Sequence, residues 1–314
     1  TGSSLFMINH FKEYAAWVKK TYLDDQSKLI EIGSNDGTFL SNFQDTNINF
    51  IGFEPSSNVA EKANKKKIKT INNFFNLNNI TDLKEFKKNT KVICAANVIC
   101  HIPNLNELIT TIDELLSLDG VFIFEEPYLG SMFEKTSYDQ IYDEHIYMFS
   151  AHSIKKIFEL YHFDLIDLKP QITHGGSMRY VIARKGKYEI KSSVYKILDR
   201  EKKLELDNLK SCLKFKKQCE ISKEKTISQL NAFKKEGKSI CGYAATSKST
   251  TILNYCNIGP NIIDYICDTT PEKIGKFSPG MHIPIKSNEY FQKNLPDIAY
   301  LFAWNHKKEI FLKE

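Results

Sequence analysis

The chain has 314 residues, of which 42% are hydrophobic and 26% charged, and a formal net charge of +5. This composition is globular and the length suits two domains of ordinary size. No run of about 18 or more apolar residues occurs, so no membrane-spanning helix is expected. The positive charge comes from Lys spread along the whole chain, densest at "KKKIK" (65–69) and "KFKKQ" (214–218). Such runs read as solvated faces. Without a basic stripe interleaved with exposed aromatics, they give no reason to expect a nucleic-acid partner. The seven cysteines, at 94, 100, 212, 219, 241, 256 and 267, form no CxxC pair. They read as reduced, buried thiols of a cytoplasmic protein, with no metal site in this chain.

The start, "TGSSLFMINHF", does not read as a secretory signal. With no initiator Met and no closing signal after "AWNHKKEIFLKE", truncation at both ends is expected. Phe6, Phe11, Trp17 and Val18 recur at helical spacing, and Ser3 or Ser4 can cap that first helix. Short apolar runs rich in strand-forming residues come next, at 28–33, 50–54, 91–97 and 120–126, separated by helix-like stretches. This rhythm predicts βαβ units and a parallel sheet covered on both faces. Two later strands are expected near 163–168 and 177–184. From 186 to 236 Leu and Ile recur at helical spacing amid Lys and Glu, which predicts one or two long helices ending at Gly237. The βαβ rhythm resumes at 239–245, 262–268 and 298–304. The expected organisation is a domain over 1–185, a helical connector over 186–236 and a second, smaller α/β domain over 237–314.

The first chemical signal is "LIEIGSNDGTFL" (29–40), a strand, a Gly-containing turn and a helix start. Gly33 and Gly37 let the backbone approach a ligand closely. The pattern is neither GxGxxG nor GxxxxGK[ST], which weakens dinucleotide and phosphate-loop readings. The next strand ends in Glu54, where an acid can accept hydrogen bonds from both ribose hydroxyls of an adenosine ligand. Asn97 comes after the strand 91–96. All three features sit at the carboxyl ends of strands, where open parallel sheets bind ligands. The alternative for each alone is an ordinary tight turn or a surface acid; their order along the chain favours the site.

The segment 126–150, inserted between the strand 120–126 and the next helix, holds Glu126, Tyr128, Tyr138, Asp139, Tyr142, Glu144 and His145. "NVICHIPN" places His101 before it, and "THGGSMR" (173–179) places His174 and Arg179 after it. A hydroxyl or amine acceptor of a methyl group needs one base at most. A carbon acceptor needs a base to remove a proton beside a carbonyl, which suits His, and donors to hold the resulting enolate oxygen. In "YDEH" (142–145), His145 can be that base, Glu144 can orient it, and Tyr142 or His101 can hold the oxyanion. The alternative is a hydrogen-bond network covering a loop. His10, His152 and His162 read as structural, and Trp17 and Trp304 as packing residues.

"EIGSNDG" resembles the first motif of class I S-adenosylmethionine-dependent methyltransferases. The wider series "GSS…HF", "FEPSSNVA", "NFF", "ANVICHIPN", "YDQIYDEHIYMFS", "THGGSMR", "GYAATSKSTTILNYC" and "DYICDTTPEKIGKFSPGMHIPI" resembles the C-methyltransferases of nucleotide-linked 4-keto-deoxysugars. The C-3′-methyltransferases of the tetronitrose and mycarose pathways match it best. The resemblance covers residues 1 to about 306 and implies an α/β fold, a Rossmann-like sheet with a C-terminal second α/β domain. It implies that Glu31, Gly33, Asn35, Gly37, Glu54, Pro55 and Asn97 hold S-adenosylmethionine. It assigns the base to His145, with His101 next, and catalytic support to Glu144 and Tyr142. Tyr128, His174, Arg179 and Lys248 are expected on the substrate, a dTDP-linked sugar, with Lys248 and the start of its helix meeting phosphate. The family carries zinc in an N-terminal module of Cys pairs ahead of "GSS", and a tyrosine that helps catalysis lies just upstream of this start. "GYAATSKST" departs from the family's "GYGA-x-AKG" at Ala244 and Ser249, so the nucleotide or sugar is expected to differ. The competing readings are a methyltransferase for a sugar hydroxyl or amine, and a non-catalytic binding protein with this fold.

Overall fold

A computed structural model describes residues 4–313. The first helix forms as α1 (Leu5–Tyr22), and the Ser4 hydroxyl caps it by accepting the Met7 N–H. Ser3, the other expected cap, lies outside the described residues. Next come β1 (Lys28–Ile32), β2 (Asn49–Phe53), α2 (Ser57–Lys65), β3 (Thr70–Ile71), β4 (Thr90–Ala96), α3 (Leu105–Leu115) and β5 (Leu116–Pro127). The chain continues through α4 (Leu129–Lys135), a 3-10 turn at Tyr138–Gln140, α5 (Ala151–Glu159), β6 (Phe163–Gln171) and β7 (Ser177–Arg184). It ends with α6 (Ser192–Lys203), α7 (Leu209–Lys235), β8 (Ile240–Tyr243), α8 (Ser247–Cys256), β9 (Tyr265–Cys267), β10 (Ile285–Lys286), α9 (Asn288–Lys293), β11 (Ile298–Leu301) and α10 (Lys307–Lys313). The long helical stretch is two helices because Glu205 takes a left-handed backbone and the Asn208 side chain caps a fresh start. Among the described residues no helix is long and apolar enough to cross a membrane.

The chain divides into two compact units. The first comprises residues up to Tyr128, Ile146–Ile172 and Gly176–Lys203. Its sheet has the order β3-β2-β1-β4-β5-β7-β6. β1 to β5 run parallel, and β7 pairs antiparallel with both β5 and β6. Both faces are covered, so the strands read as near-continuous apolar runs. Strand alternation sorts β5 between two cores. Val121 and Ile123 pack with Phe11, Tyr14 and Val18 of α1. Phe122 and Phe124 pack with Ile112 of α3 and Phe158 of α5. Phe124 also stacks on Tyr180 of β7 at 4.8 Å. Each such ring contributes on the order of 2–3 kcal/mol through burial. The same alternation carries past the apolar run, sending Glu125 to the α1 side and Glu126 to the other.

The second unit comprises Leu129–His145, Thr173–Gly175 and the residues from Leu204 on. Its parallel sheet has the order β10-β9-β8-β11. Leu230, Ile240, Leu253, Ile266 and Phe302 fill its main core. The "YDEH" segment therefore belongs to this unit, although it is inserted in the middle of the first.

Candidate active site

The first unit's site grows from the β1 turn. Gly33 has φ +66°, and a Cβ there would lie 2.3 Å from a Val98 methyl group, so only glycine fits. The turn is tied to β2 by Ser34 N–H donating to the Phe53 carbonyl and closed by Gly37 N–H donating to the Ser34 carbonyl. Glu54 holds the next link. Its carboxylate accepts Asn35 N–H at 3.0 Å on one oxygen and Ser56 N–H at 2.9 Å on the other. Asn72 donates to the Glu54 and Pro55 carbonyls, fixing the strand end from outside.

Polar atoms remain open around this turn. Glu31 is 5% exposed, and among the described residues its Oε2 has no protein partner. Burial, with the charges of Asp36 and Glu54 nearby, pushes its carboxyl well above the ordinary range. Among the described residues Ser34 Oγ and Asn97 Oδ1 are likewise buried without a partner. Buried acceptors cost free energy unless something donates to them. S-adenosylmethionine offers an ammonium and ribose hydroxyls, the donors that Glu31 and Asn97 lack. The residues present therefore fit that cofactor. Ser34 was not foreseen from the sequence, because a serine beside a glycine turn carries no signal of its own.

Asn97 and His101 sit on the loop after β4. Asn97 takes the left-handed region at φ +56°, and its N–H donates to the Glu125 carbonyl at 2.8 Å. Glu126 pins the next two residues: one carboxyl oxygen accepts Val98 N–H at 2.9 Å and Ile99 N–H at 2.6 Å. Glu126 is wholly buried, and burial raises its pKa against those bonds and the neighbouring Cys100 thiol. His101 ends the 3-10 turn that this carboxyl anchors.

Two residues expected on the substrate are engaged elsewhere. Arg179 is buried, and its guanidinium bonds Glu125 while lying 3.7 Å over the Tyr14 ring. The second Glu125 oxygen meets His10 Nε2 at 2.7 Å. Burial works against ionisation of Glu125, yet the His10 bond and the Arg179 charge hold its pKa below the ordinary range. Thus His10, read as structural from the sequence, completes a hydrogen-bonded triad with Glu125 and Arg179. Tyr128 is 1% exposed and its hydroxyl donates to Glu201 at 2.9 Å. Glu201 also accepts the Ala151 and His152 N–H groups at the start of α5, so Tyr128 belongs to a helix-capping network.

In the second unit, His145 N–H donates to the Tyr142 carbonyl, closing a tight turn that sets the two rings 4.0 Å apart. His145 Nδ1 lies 2.8 Å from the Gln140 carbonyl oxygen. A carbonyl only accepts, so Nδ1 carries a proton, and in the neutral ring the lone pair is on Nε2. Glu144, expected to orient the ring, is exposed, and the Gln140 main chain meets Nδ1. His174 lies in a turn at φ +53°. Lys248 is buried on α8, and its ammonium donates to the His174 carbonyl and to Asn305. Burial lowers its pKa, opposed by the charge of Asp139.

Known proteins match the chain along nearly its whole length. A family described as "Methyltransferase domain" matches residues 7–168, and one described as "C-methyltransferase C-terminal domain" matches 172–314. The C-methyltransferase NovU of Streptomyces niveus is 28% identical over 310 residues, 98% of this chain and 74% of that protein. Among solved structures, the PH0226 protein from Pyrococcus horikoshii OT3 matches 58% of this chain and 93% of its own, with 14% identity and a TM-score of 0.46. The magnesium protoporphyrin IX methyltransferase from Synechocystis PCC 6803 with bound SAH matches 57% and 84%, with 15% identity and a TM-score of 0.43.

Proposed function

The chain belongs to the methyltransferase-domain family and is an S-adenosylmethionine-dependent C-methyltransferase; from that premise we propose that its acceptor is a carbon beside the ketone of a nucleotide-linked 4-keto-deoxysugar. The observation that carries this reading is the bond from His145 Nδ1–H to the Gln140 carbonyl. In the neutral ring it leaves Nε2 as the basic nitrogen of a half-buried imidazole, the side-chain type suited to proton removal near neutral pH.

His145 Nε2 takes the proton from the carbon next to the ketone, and the electron pair of that C–H bond becomes the enolate. Tyr142, whose ring is tilted against that of His145, and His101, on the loop that Glu126 pins, are the donors proposed for the enolate oxygen. When bound, S-adenosylmethionine would supply the methyl group to the enolate carbon, the S–CH3 electron pair leaving with S-adenosylhomocysteine. Glu31, Ser34, Asn35, Glu54 and Asn97 would hold that cofactor, and Gly33 would give it room. The substrate is expected to be dTDP-linked, in keeping with the resemblance to deoxysugar C-methyltransferases.

The test incubates the chain with methyl-13C S-adenosylmethionine and dTDP-linked 4-keto-2,6-dideoxy and 4-keto-6-deoxy sugars. A product whose labelled methyl is bonded to carbon, by its 13C shift and couplings, is the expected result. A methyl bonded to oxygen or nitrogen would overturn the carbon reading and favour a hydroxyl or amine acceptor.

A further inference from the structure

The turn Thr173–Gly175 is held by main-chain carbonyls that accept from side chains far away in sequence. The His174 carbonyl accepts the Gln140 side-chain amide and, at 3.3 Å, the Lys248 ammonium. The Gly175 carbonyl accepts the Lys135 ammonium. His174 and Gly175 both have left-handed backbones, at φ +53° and +87°. A Cβ on Gly175 would lie 2.5 Å from the Trp304 ring, so indole packing requires the glycine.

The same side chains reach back into the "YDQIYDEH" segment. Trp304 Nε1–H donates to Asp139 Oδ2 at 2.8 Å, and the Lys248 ammonium lies 3.9 Å from that oxygen. Lys248 also donates to Asn305, the residue after Trp304. Asp139 and Lys248 are 4% and 8% exposed. Asp139 immediately precedes Gln140, whose carbonyl meets His145 Nδ1 while its side-chain amide bonds the His174 turn. Four stretches of the second unit are thus tied together around Gln140: the insertion, the 173–175 turn, α8 and the 304–306 segment.

We infer that Lys248, Asp139 and Trp304 form a clamp that positions His145 by fixing Gln140, so that Lys248 is a positioning residue and not a phosphate ligand. This rests on the reading of His145 as the base. The physical reason is that a carbonyl orients an imidazole only if the carbonyl is itself fixed. Gln140 is fixed at both ends, by the buried Asp139 beside it and by the His174 carbonyl on its side chain. An ammonium buried against a carboxylate, a carbonyl and an amide oxygen has its donors directed inward. A phosphate ligand would need those donors directed to solvent.

The test uses the full chain as wild type, Lys248→Met and Trp304→Phe, each labelled with 15N-histidine. Trp304→Phe keeps a ring and removes one N–H donor, so it covers the case in which Lys248→Met does not fold. His145 resonances are assigned by their loss in His145→Gln. Wild type is expected to show His145 protonated at Nδ1, and both variants to shift it toward a mixture of tautomers. Where solvent exchange at the sugar carbon is seen, in D2O with S-adenosylhomocysteine, the rate is expected to fall about tenfold or more. Affinity for S-adenosylhomocysteine should stay within about twofold, since the substitutions lie in the other unit. An unchanged His145 tautomer in the folded variants overturns the inference. So does a Lys248→Met defect confined to KM for the dTDP-sugar, which would return Lys248 to phosphate binding. The tautomer measurement needs no substrate. A chain that exchanges no sugar but loses the tautomer in the variants retains the clamp and loses the proposed chemistry.

Discussion

The two units each carry a strand-end turn held by the same pair of N–H hydrogen bonds, and the side chains around it set them apart. In the first, Ser34 N–H donates to the Phe53 carbonyl and Asn35 N–H to the Glu54 carboxylate. In the second, Ala244 N–H donates to the Cys267 carbonyl and Ala245 N–H to the Asp268 carboxylate. Each turn comes after the strand that lies third in its sheet order, and each acid after the strand beside it. Around Glu54, buried acceptors of Glu31, Ser34 and Asn97 stay open. Around Asp268 the needs are met internally: Thr270 N–H bonds the second oxygen, and the Lys273 ammonium sits 3.6 Å from the carboxylate and on the Ala245 carbonyl. The same topology thus leaves buried acceptors open in one unit and carries a self-neutralised turn in the other. Function lies in the atoms left open and not in the fold.

The largest effect that sharpens this contrast comes from the two acids. Glu54→Ala removes the acceptor of two turn N–H groups and of the expected ribose, so S-adenosylhomocysteine affinity should fall about 100-fold or more by calorimetry. Asp268→Asn should leave that affinity within about twofold. Equal losses from both would break the comparison. Gly33→Ala comes next. It meets Val98 at 2.3 Å and a left-handed φ, so affinity should fall at least about tenfold with a loss of thermal stability.

Glu31 gives a pH test. Its folded pKa is raised, mainly by burial, so its contribution to stability is fully present below the ordinary carboxylate range and is lost as pH rises through the raised value. Glu31→Gln should therefore make the ligand-free chain less sensitive to pH and more stable near neutrality, by roughly 1 kcal/mol or more in urea titrations. Its affinity for S-adenosylhomocysteine should drop about tenfold, through the lost partner for an ammonium. The smallest effect is at Ala244, which holds φ +75° where glycine is at ease. Ala244→Gly should stabilise the chain by about 1 kcal/mol and leave cofactor affinity unchanged.

The parts legible in the sequence were local ones. "EIGSNDG" and the strand-end Glu54 announce a ligand turn because turn chemistry and strand alternation act over a few residues. The β-rich runs placed β1, β2, β4 and β5, while the two-residue β3 and β10 were too short to register. Long-range partners stayed hidden. Nothing in "FEEPYL" or "GGSMR" reveals that Arg179 will pair with Glu125 and His10, or that Tyr128 will bond Glu201 in α6. Lys248 reads as a phosphate ligand from its place at a helix start, and only the fold shows Asp139 and the His174 carbonyl waiting for it. Glu126 looked like one more acid in a polar insertion, whereas strand alternation buries it under the His101 loop.

The most direct measurement is hydrogen exchange at the sugar ring. The chain is held with S-adenosylhomocysteine in D2O, dTDP-linked 4-keto sugars are added, and the C-3′ and C-5′ protons are followed by NMR in wild type and His145→Ala. The account predicts exchange at one carbon in wild type and its loss in the variant. Exchange that persists in His145→Ala would contradict the assignment of the base. No exchange with any sugar, while S-adenosylhomocysteine still binds, would contradict enolate formation on the sugars tested.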